Sequence, residues 1–424
     1  NRAVPFRAAG RDAAASVATR PLPQTIAPGL SDAQPGRRRR PPEEDAYAPL
    51  GLRLGGLIVR PGIEASVGYD TNPQRSASTS RPKGSKVYQG AADLSVQSDW
   101  TRHQLQLDLR GVYNYYPDAK DADRPTLDGR LTFRGDMGEQ GTLNLELRER
   151  IDSQRPGSPD LSSDVKGRPL TYQTGATAGY TQRFGPIAMT AAAAVDRYDF
   201  QDGVTRSGVS VPQGDREYSQ YGLRLRGAYE ITPGIAPFIE ASADRRVYDQ
   251  AVDSGGYRRS SHGVTGRLGT SFELTRTLTG EISAGYGVRD YADTRLAALS
   301  GALLDASLVW QVSPLTRATL RAGSEFVETT QVGSSGAISR RIGLLVTHDL
   351  LRNLQFGASV DYSNADYSGV NRREQTFVAG LRMDYKIDRH FVFRTSYAYE
   401  RAVSSLPNNS SRSHVFLVGL RMQR

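Results

Sequence analysis

The chain has no cysteine and few residues of the kinds that usually carry catalysis. Without cysteine among its 424 residues, disulfide scaffolds, thiolate metal sites and cysteine nucleophiles are excluded. The five histidines show no metal-ligand spacing, and no nucleophile elbow or phosphate-binding glycine motif occurs in the context it requires. We therefore expect neither an enzyme nor a cofactor or metal site.

Long apolar runs are also missing. No stretch approaches the roughly 18 apolar residues of a membrane-spanning helix. Hydrophobic residues make up only 38% of the chain, which is low for a sequence of this length, because several soluble cores would have to be filled. In contrast, 43 glycines and 21 tyrosines outnumber the 12 phenylalanines and 2 tryptophans. This composition is typical of β-strands with aromatic ends.

From Leu52 onwards, apolar and polar residues alternate with a period of two, most clearly in the hairpin at residues 375–400. Leu381 and Met383 lie on one face of its first arm, and Arg382 and Asp384 lie on the other. A soluble sandwich would bury the apolar face. An outer-membrane barrel would turn the apolar face to lipid and the polar face to a lumen. The hairpin alone does not distinguish the two.

The connections between strands separate these interpretations. They alternate between short turns and long, polar loops without a break, as the periplasmic turns and external loops of outer-membrane barrels do. We therefore predict an all-β fold, an 18-stranded antiparallel up-and-down transmembrane β-barrel over residues 48–424, in the bacterial outer membrane. The predicted strands are residues 56–70, 86–99, 103–116, 124–136, 141–152, 169–183, 187–199, 217–231, 235–248, 258–273, 277–291, 298–312, 315–328, 338–350, 354–366, 374–387, 390–401 and 411–423.

Aromatic residues recur at the ends of these strands. Tyrosines precede the long loops, and both tryptophans lie beside short turns. Because amphipathic rings prefer membrane interfaces, this pattern predicts an outer and an inner aromatic girdle. The alternative is the general preference of tyrosine for any β-strand. The girdle residues predicted are Tyr69, Trp100, Tyr115, Tyr198, Tyr248, Tyr291, Trp310, Tyr362 and Tyr397.

If the apolar face meets lipid, the opposite face lines a lumen that contains charges of both signs. An arginine at the lipid midplane would cost about 2–4 kcal/mol, and arginine is nearly absent from the apolar faces. Two roles remain open for the inward arginines: bracing the wall through cross-strand ion pairs, or attracting anionic solutes or polymers. The predicted lumen-lining residues are Arg110, Arg130, Arg134, Arg148, Arg150, Arg224, Arg226, Arg267, Arg289, Arg317, Arg321, Arg382, Arg394 and Arg421.

Residues 1–47 differ from the rest. They are rich in alanine, proline and arginine and show no periodicity, which predicts a disordered periplasmic leader. The leader is either solvated, or an arm that docks on a periplasmic partner or folds into the lumen. The net charge of +9 is spread singly along the strands apart from Arg37 to Arg40, so we expect no nucleic-acid binding.

Two segments resemble a known family. GLRLGGLIVRPGIEASVGYDTN at residues 51–72 and SDWTRH at residues 98–103 resemble the first strand and first periplasmic turn of outer-membrane β-barrel porins of Gram-negative, especially alphaproteobacterial, envelopes. The resemblance in general sequence pattern extends from about residue 48 to the end. The chain departs from many outer-membrane proteins by ending in GLRMQR rather than in an aromatic residue. Members resemble proteins found beside exopolysaccharide export systems, which implies that the barrel serves as an exit for a polymer.

The sequence thus predicts an outer-membrane channel with a polar, arginine-rich lumen, since barrels of about 16 to 18 strands leave an aqueous channel unless something fills them. Its leading specific function is the exit of an exported polymer such as an exopolysaccharide. The alternatives are a general or anion-preferring diffusion porin and a plugged anchoring barrel whose external loops bind a ligand. Expected partners are outer-membrane lipid, a periplasmic export component that contacts the leader, and an anionic solute or polysaccharide.

Overall fold

The structure is a computed structural model that describes residues 47–275 and 277–424, so nearly all of the predicted leader lies outside the described residues. Eighteen long strands form its main sheet. They are β1 Leu57–Asp70, β2 Ser85–Ser98, β3 Gln104–Tyr115, β4 Arg124–Met137, β5 Gly141–Ser153, β6 Leu170–Phe184, β7 Ile187–Phe200, β8 Tyr218–Tyr229, β9 Ile235–Tyr248, β10 Ser261–Thr275, β11 Leu278–Tyr291, β12 Leu299–Ser313, β13 Thr316–Val327, β14 Gly336–Leu351, β15 Leu354–Ser368, β16 Arg372–Lys386, β17 Phe391–Ser404 and β18 Ser411–Gln423.

The sheet closes on itself. Each strand pairs antiparallel with the next, and β18 pairs antiparallel with β1 through contacts such as Ile63 opposite Met422 and Tyr69 opposite Phe416. Closure joins the first strand to the last, which a membrane-spanning sheet requires because lipid offers no hydrogen bonds. The predicted 18-stranded antiparallel barrel is therefore confirmed.

Short turns and long loops lie at opposite ends of the barrel. Gly185, with φ +58°, turns the chain between β6 and β7, a backbone conformation that tight hairpins favour. At the other end, here called the outer end, the longest connections are residues 154–169 and 201–217. The predicted strands 354–366 and 374–387 leave a loop at residues 367–373. That loop is wrong, because β15 and β16 extend until only residues 369–371 remain between them.

Burial shows which face of the wall is polar. Leu223 and Leu225 are 65% and 64% exposed, whereas Arg224 and Arg226 are only 5% and 8% exposed. In a closed barrel one face of every strand points outwards and the other into the lumen. The apolar residues therefore form the outer surface and the arginines face the lumen, the reverse of a soluble protein.

Other regular structure is slight. A short strand, Leu52–Leu54, folds back on β1, and Val165–Lys166, Gly203–Thr205 and Ser210–Val211 form a small sheet in the outer loops. The helical segments in the described part of the chain are single 3₁₀ turns at Ser78–Ser80, Lys120–Ala122 and Gly214–Arg216, and none of its helices is long and apolar enough to cross a membrane.

One place in the wall departs from regular pairing. Within the described residues, the ladder between β12 and β13 ends at Ala306 opposite Ala322, although β12 begins at Leu299 and β13 continues to Val327. Both strands stay paired with their other neighbours along this length. The outer halves of these two strands are therefore not joined by backbone pairing.

Side chains close this seam by overlap. Phe326 of β13 packs on Leu299 and Leu303, which are lumen-facing residues of β12, and Ile338 of β14 joins the same cluster. A Cβ atom on Gly301 would lie 2.6 Å from Ile338 Cδ1, so glycine leaves room for this contact. The outer end of the β13–β14 hairpin is thus tucked inside β12, and its connecting loop enters the lumen.

Candidate functional site: the lumen and its outer mouth

Ion pairs between neighbouring strands cover much of the lumen wall. Arg394 of β17 donates to Glu64 of β1 and, at 2.8 Å, to Asp384 of β16. Arg382 Nε donates to the same Asp384 carboxylate at 2.9 Å. All four residues are less than a tenth exposed. The network joins strands on both sides of the place where the barrel closes.

A second network braces the opposite side. Arg226 of β8 donates two hydrogen bonds to Glu281 of β11, at 2.9 and 2.7 Å, and its guanidinium lies 3.5 Å from the ring centre of Phe238. Arg267 lies 3.2 Å from Asp305. Such bidentate and multiply shared pairs fix side chains in place and leave little net charge for a passing solute.

Most of the predicted lumen arginines lie in such pairs. They occupy inward positions, and each has a carboxylate within 4.0 Å, which favours the bracing role for them. The arginines in this class are Arg110, Arg130, Arg134, Arg148, Arg150, Arg224, Arg226, Arg267, Arg289, Arg382, Arg394 and Arg421.

Arg317 and Arg321, the other two predicted lumen arginines, are exposed, whereas the twelve arginines of this class are buried or half-buried. Across the sheet, Arg321 lies opposite Gly343, and Gly343 lies opposite Asp361. Arg341 lies on the same face as Gly343, two residues further along β14. We call Arg317, Arg321 and Arg341 the β13–β14 patch. Arg321 and Arg341 act on the charge of Asp361, and Arg317 lies four residues from Arg321 on the same face of β13.

Arg341 was missed by the sequence analysis. The signal was present, since Ile342 and Leu344 are exposed apolar residues and the period of two places Arg341 on the opposite face. Gly343 also has a specific role here. A Cβ atom at that position would lie 2.4 Å from Asp361 Oδ1, so only glycine leaves the space that this carboxylate occupies.

Three predicted girdle tyrosines are placed differently by the structure. Tyr198 and Tyr248, 4% and 7% exposed, face the lumen and stack on Tyr218 with ring centres 4.5 and 5.1 Å apart. Tyr291 also points inward, against the cluster at the seam. Their assignment to the lipid-facing girdle is wrong, because each lies an even number of residues from an inward charged side chain. The Tyr248 hydroxyl donates to Glu328 at 3.1 Å.

The remaining girdle residues are all at least a third exposed. Tyr69, Tyr115, Tyr362 and Tyr397 lie on the outward face near the outer end of their strands. The two tryptophans lie near the short turns and are exposed by 46% for Trp100 and 50% for Trp310. Their interfacial role stays a prediction.

Residues 154–169, here called the bridging loop, cross the outer mouth. They leave the barrel between β5 and β6, yet Asp160 accepts a hydrogen bond at 3.0 Å from the Thr330 amide, between β13 and β14. Arg155 Nη1 donates to Ser411 Oγ of β18 at 2.9 Å. The loop therefore reaches the far wall of the barrel and narrows the outer opening.

The loop it meets, residues 328–335, is itself held inside the mouth. Arg259 donates to the Ser334 carbonyl and, through Nη2 at 3.0 Å, to the Gln331 carbonyl. Arg246 Nη2 donates at 3.2 Å to the Phe326 carbonyl at the end of β13, just before the loop. Arg259 is 1% exposed and paired with Asp253 at 2.6 Å. Buried arginines thus anchor this loop to the wall through its backbone.

The site is a polar conduit braced by ion pairs and narrowed by loops at its outer end. Over residues 47–275 and 277–424, no group of three histidine, aspartate or glutamate side chains is arranged to hold a metal ion. A closed barrel of this strand number, with lipid-facing apolar residues and a charged lumen, defines a porin-type channel of the bacterial outer membrane.

A sequence model of the family described as Putative beta-barrel porin 2 matches residues 45–424. The chain belongs to this family, which confirms the resemblance seen in its first strand and the outer-membrane location. No curated protein matches the chain.

The chain is also similar, at low sequence identity, to several solved structures. Pseudomonas aeruginosa OccK2 (OpdF), solved in complex with glucuronate, is 12% identical over 86% of this chain and 98% of its own, with a TM-score of 0.42. Acinetobacter baumannii OccAB4 is 11% identical over 86% and 98%, with a TM-score of 0.43. P. aeruginosa OpdL is 12% identical over 87% and 99%, with a TM-score of 0.40.

Proposed function

We propose that the protein is a diffusion channel for small hydrophilic solutes, with a preference for anions set by the β13–β14 patch. The carrying observation is the contrast along the wall. Arg317 and Arg321 are exposed on the lumen face, whereas the other twelve predicted lumen arginines are buried or half-buried. Arg321 and Arg341 both act on the charge of Asp361.

A local surplus of charge is sufficient for selectivity. Surface charges are screened over about 8 Å at physiological ionic strength, so a patch acts on ions that pass close to it. Low-dielectric walls concentrate that potential within a confined passage. Rings and clusters of charged side chains set ion selectivity in other pores by the same physics.

The bridging loop favours small solutes over a polymer. An extended chain leaving through the barrel would have to displace the contacts of Asp160 with Thr330 and of Arg155 with Ser411. A small solute would obstruct these contacts less than a polymer. Polymer exit, with a periplasmic export component bound to residues 1–47, stays a prediction, as does the separate domain status of that leader.

The test is the zero-current potential of the full chain in a planar bilayer under a potassium chloride gradient. Replacing Arg317, Arg321 and Arg341 by glutamine should shift this potential towards cation preference. Arg340→Gln is the matched control, because Arg340 is the neighbour of Arg341 on the opposite face of β14. An unchanged potential in the triple variant would contradict the proposal, and a barrel that never conducts would favour the anchoring alternative.

A further inference from the structure

Three arginines converge where the end of the bridging loop meets the wall. Arg168 lies in that loop just before β6, Arg124 is the first residue of β4, and Arg75 lies in the loop after β1. The guanidinium carbon of Arg124 is 5.3 Å from the ring centre of Tyr116, which is itself 1% exposed. The charges of all three arginines act on this tyrosine.

Of the three arginines, Arg75 is the one that forms ion pairs with the nearby carboxylates. Arg75 donates to Asp70 and Glu400, each at 2.8 Å. Asp70 also accepts hydrogen bonds from the Asn72 amide and the Ser413 hydroxyl. Arg75 is therefore electrically balanced, and Asp70 has little acceptor capacity left for a further cation.

Arg124 and Arg168 have only weaker, neutral acceptors. Arg124 Nη1 donates to the Ala122 carbonyl at 3.4 Å, and Arg168 Nη2 donates to the Pro73 carbonyl at 3.0 Å. Neither forms an ion pair with a carboxylate of the described residues. Two positive charges thus lie together at a sheltered place without a carboxylate in contact with either, and only the more distant Glu400 acts on Arg168. Such an arrangement is unfavourable by itself.

Unused donors lie at the same place. Within the described residues, Arg168 Nε and Arg75 Nη2 are buried and have no hydrogen-bond partner. Burial, and after it the charges of Arg124 and Arg75, hold the pKa of Arg168 well below its ordinary value. An oxyanion would supply both the hydrogen-bond acceptors that these N–H groups lack and a negative charge to offset the arginines.

We propose that Arg124 and Arg168, with the remaining N–H groups of Arg75, form a binding site for the carboxylate or phosphate group of a solute at the outer mouth. The planar guanidinium fork suits such groups, since it can offer two parallel N–H donors to their oxygens. The site is separate from the β13–β14 patch and goes beyond ion preference. A bound oxyanion would also join the bridging loop to the wall.

The test is the thermal unfolding of the detergent-solubilised full chain in chloride, phosphate and succinate at equal ionic strength. Phosphate or succinate should raise the unfolding temperature of the unmodified chain in a saturable manner. Arg168→Gln should weaken the apparent affinity by about tenfold or more, because a charge-assisted hydrogen bond is lost. In chloride, this variant should unfold at the same or a higher temperature, since it removes a partly buried charge that no carboxylate contacts.

Arg295→Gln is the control, because Arg295 is an exposed loop arginine paired with Asp293. It should keep the full response to phosphate and succinate. Arg124→Gln provides a second variant that should lose the response. Equal stabilisation of all variants, or no effect of either anion on the unmodified chain, would overturn the proposal. Neither result depends on ion selectivity, so a failure of this site is distinguishable from a failure of the channel proposal.

Discussion

Asp160 and Thr330 meet at the outer mouth, although their loops leave the barrel eight strands apart, after β5 and after β13. The Thr330 amide donates to Asp160 Oδ1 at 3.0 Å, and the Thr329 hydroxyl donates to the same oxygen. In a closed barrel of eighteen strands this separation is close to a full diameter. The contact therefore joins opposite sides of the opening and makes the two loops one constriction.

Loosening this contact should widen the channel. In the Asp160→Ala variant the acceptor for Thr329 and Thr330 is lost, so we expect larger or more variable single-channel conductance than in the unmodified chain. Asp164→Ala is the control, because Asp164 lies in the same loop and its side chain is exposed. Equal conductance in all three proteins would show that the bridging loop does not limit the passage.

The overlap at the seam can be tested by cross-linking, since the chain contains no cysteine of its own. Cysteines at Gly301 and Ile338 lie on β12 and β14, which would be about 9–10 Å apart in a regular sheet. Because Ile338 reaches the space beside Gly301, we expect a short thiol cross-linker to join them. Mass spectrometry of the cross-linked peptide is the measurement.

The matched control uses the regular part of the same strands. Ala306 lies opposite Ala322, which lies opposite Ile342, so cysteines at Ala306 and Ile342 are separated by a full intervening strand. This pair should not react with the short cross-linker. Similar yields for the two pairs would mean that β12 and β13 pair along their whole length.

The ion-pair lattice should contribute to stability rather than to selectivity. In Arg394→Met, the carboxylates of Glu64 and Asp384 lose a partner while remaining buried. Breaking a buried pair from one side typically destabilises by about 3–5 kcal/mol. We expect a lower unfolding temperature in detergent. Arg317→Met should change stability little, because Arg317 is exposed, and a loss as large as that of Arg394→Met would contradict the distinction.

The reassigned tyrosines can be separated from lipid-facing ones by quenching. In a chain with Trp100 and Trp310 changed to phenylalanine, a tryptophan at Tyr362 should be quenched by brominated lipid because that residue faces outwards. A tryptophan at Tyr248 should be protected, since Tyr248 stacks on Tyr218 inside the barrel. Equal quenching at both positions would restore the original girdle assignment.

The barrel was predictable because its signal is local and repeated. Arg224 and Arg226 alternate with Leu223 and Leu225, and the rhythm of short and long connections then distinguishes a barrel from a sandwich. The same period of two should have placed Tyr198 with Asp196 on the lumen face. Tyr198 was instead assigned to the lipid-facing girdle because it lies near a strand end, although the alternation of faces along the strand predicts the lumen.

Other features depend on contacts between distant parts of the chain. The meeting of Asp160 with Thr330 and the packing of Phe326 on Leu303 leave no trace in local periodicity. The pairing state of each lumen arginine is likewise set by strand register and side-chain reach. Strand periodicity therefore predicted the inward position of many arginines, missed others such as Arg341, and left open which of them are neutralised by carboxylates.

The most direct measurement is single-channel recording from the purified full chain in a planar bilayer, together with the variant in which Arg317, Arg321 and Arg341 are glutamine. We expect discrete conductance steps from both proteins and an anion-directed zero-current potential that the variant loses. Absence of steps from both the unmodified chain and Asp160→Ala, or an identical potential in the triple variant, would contradict an anion-preferring channel.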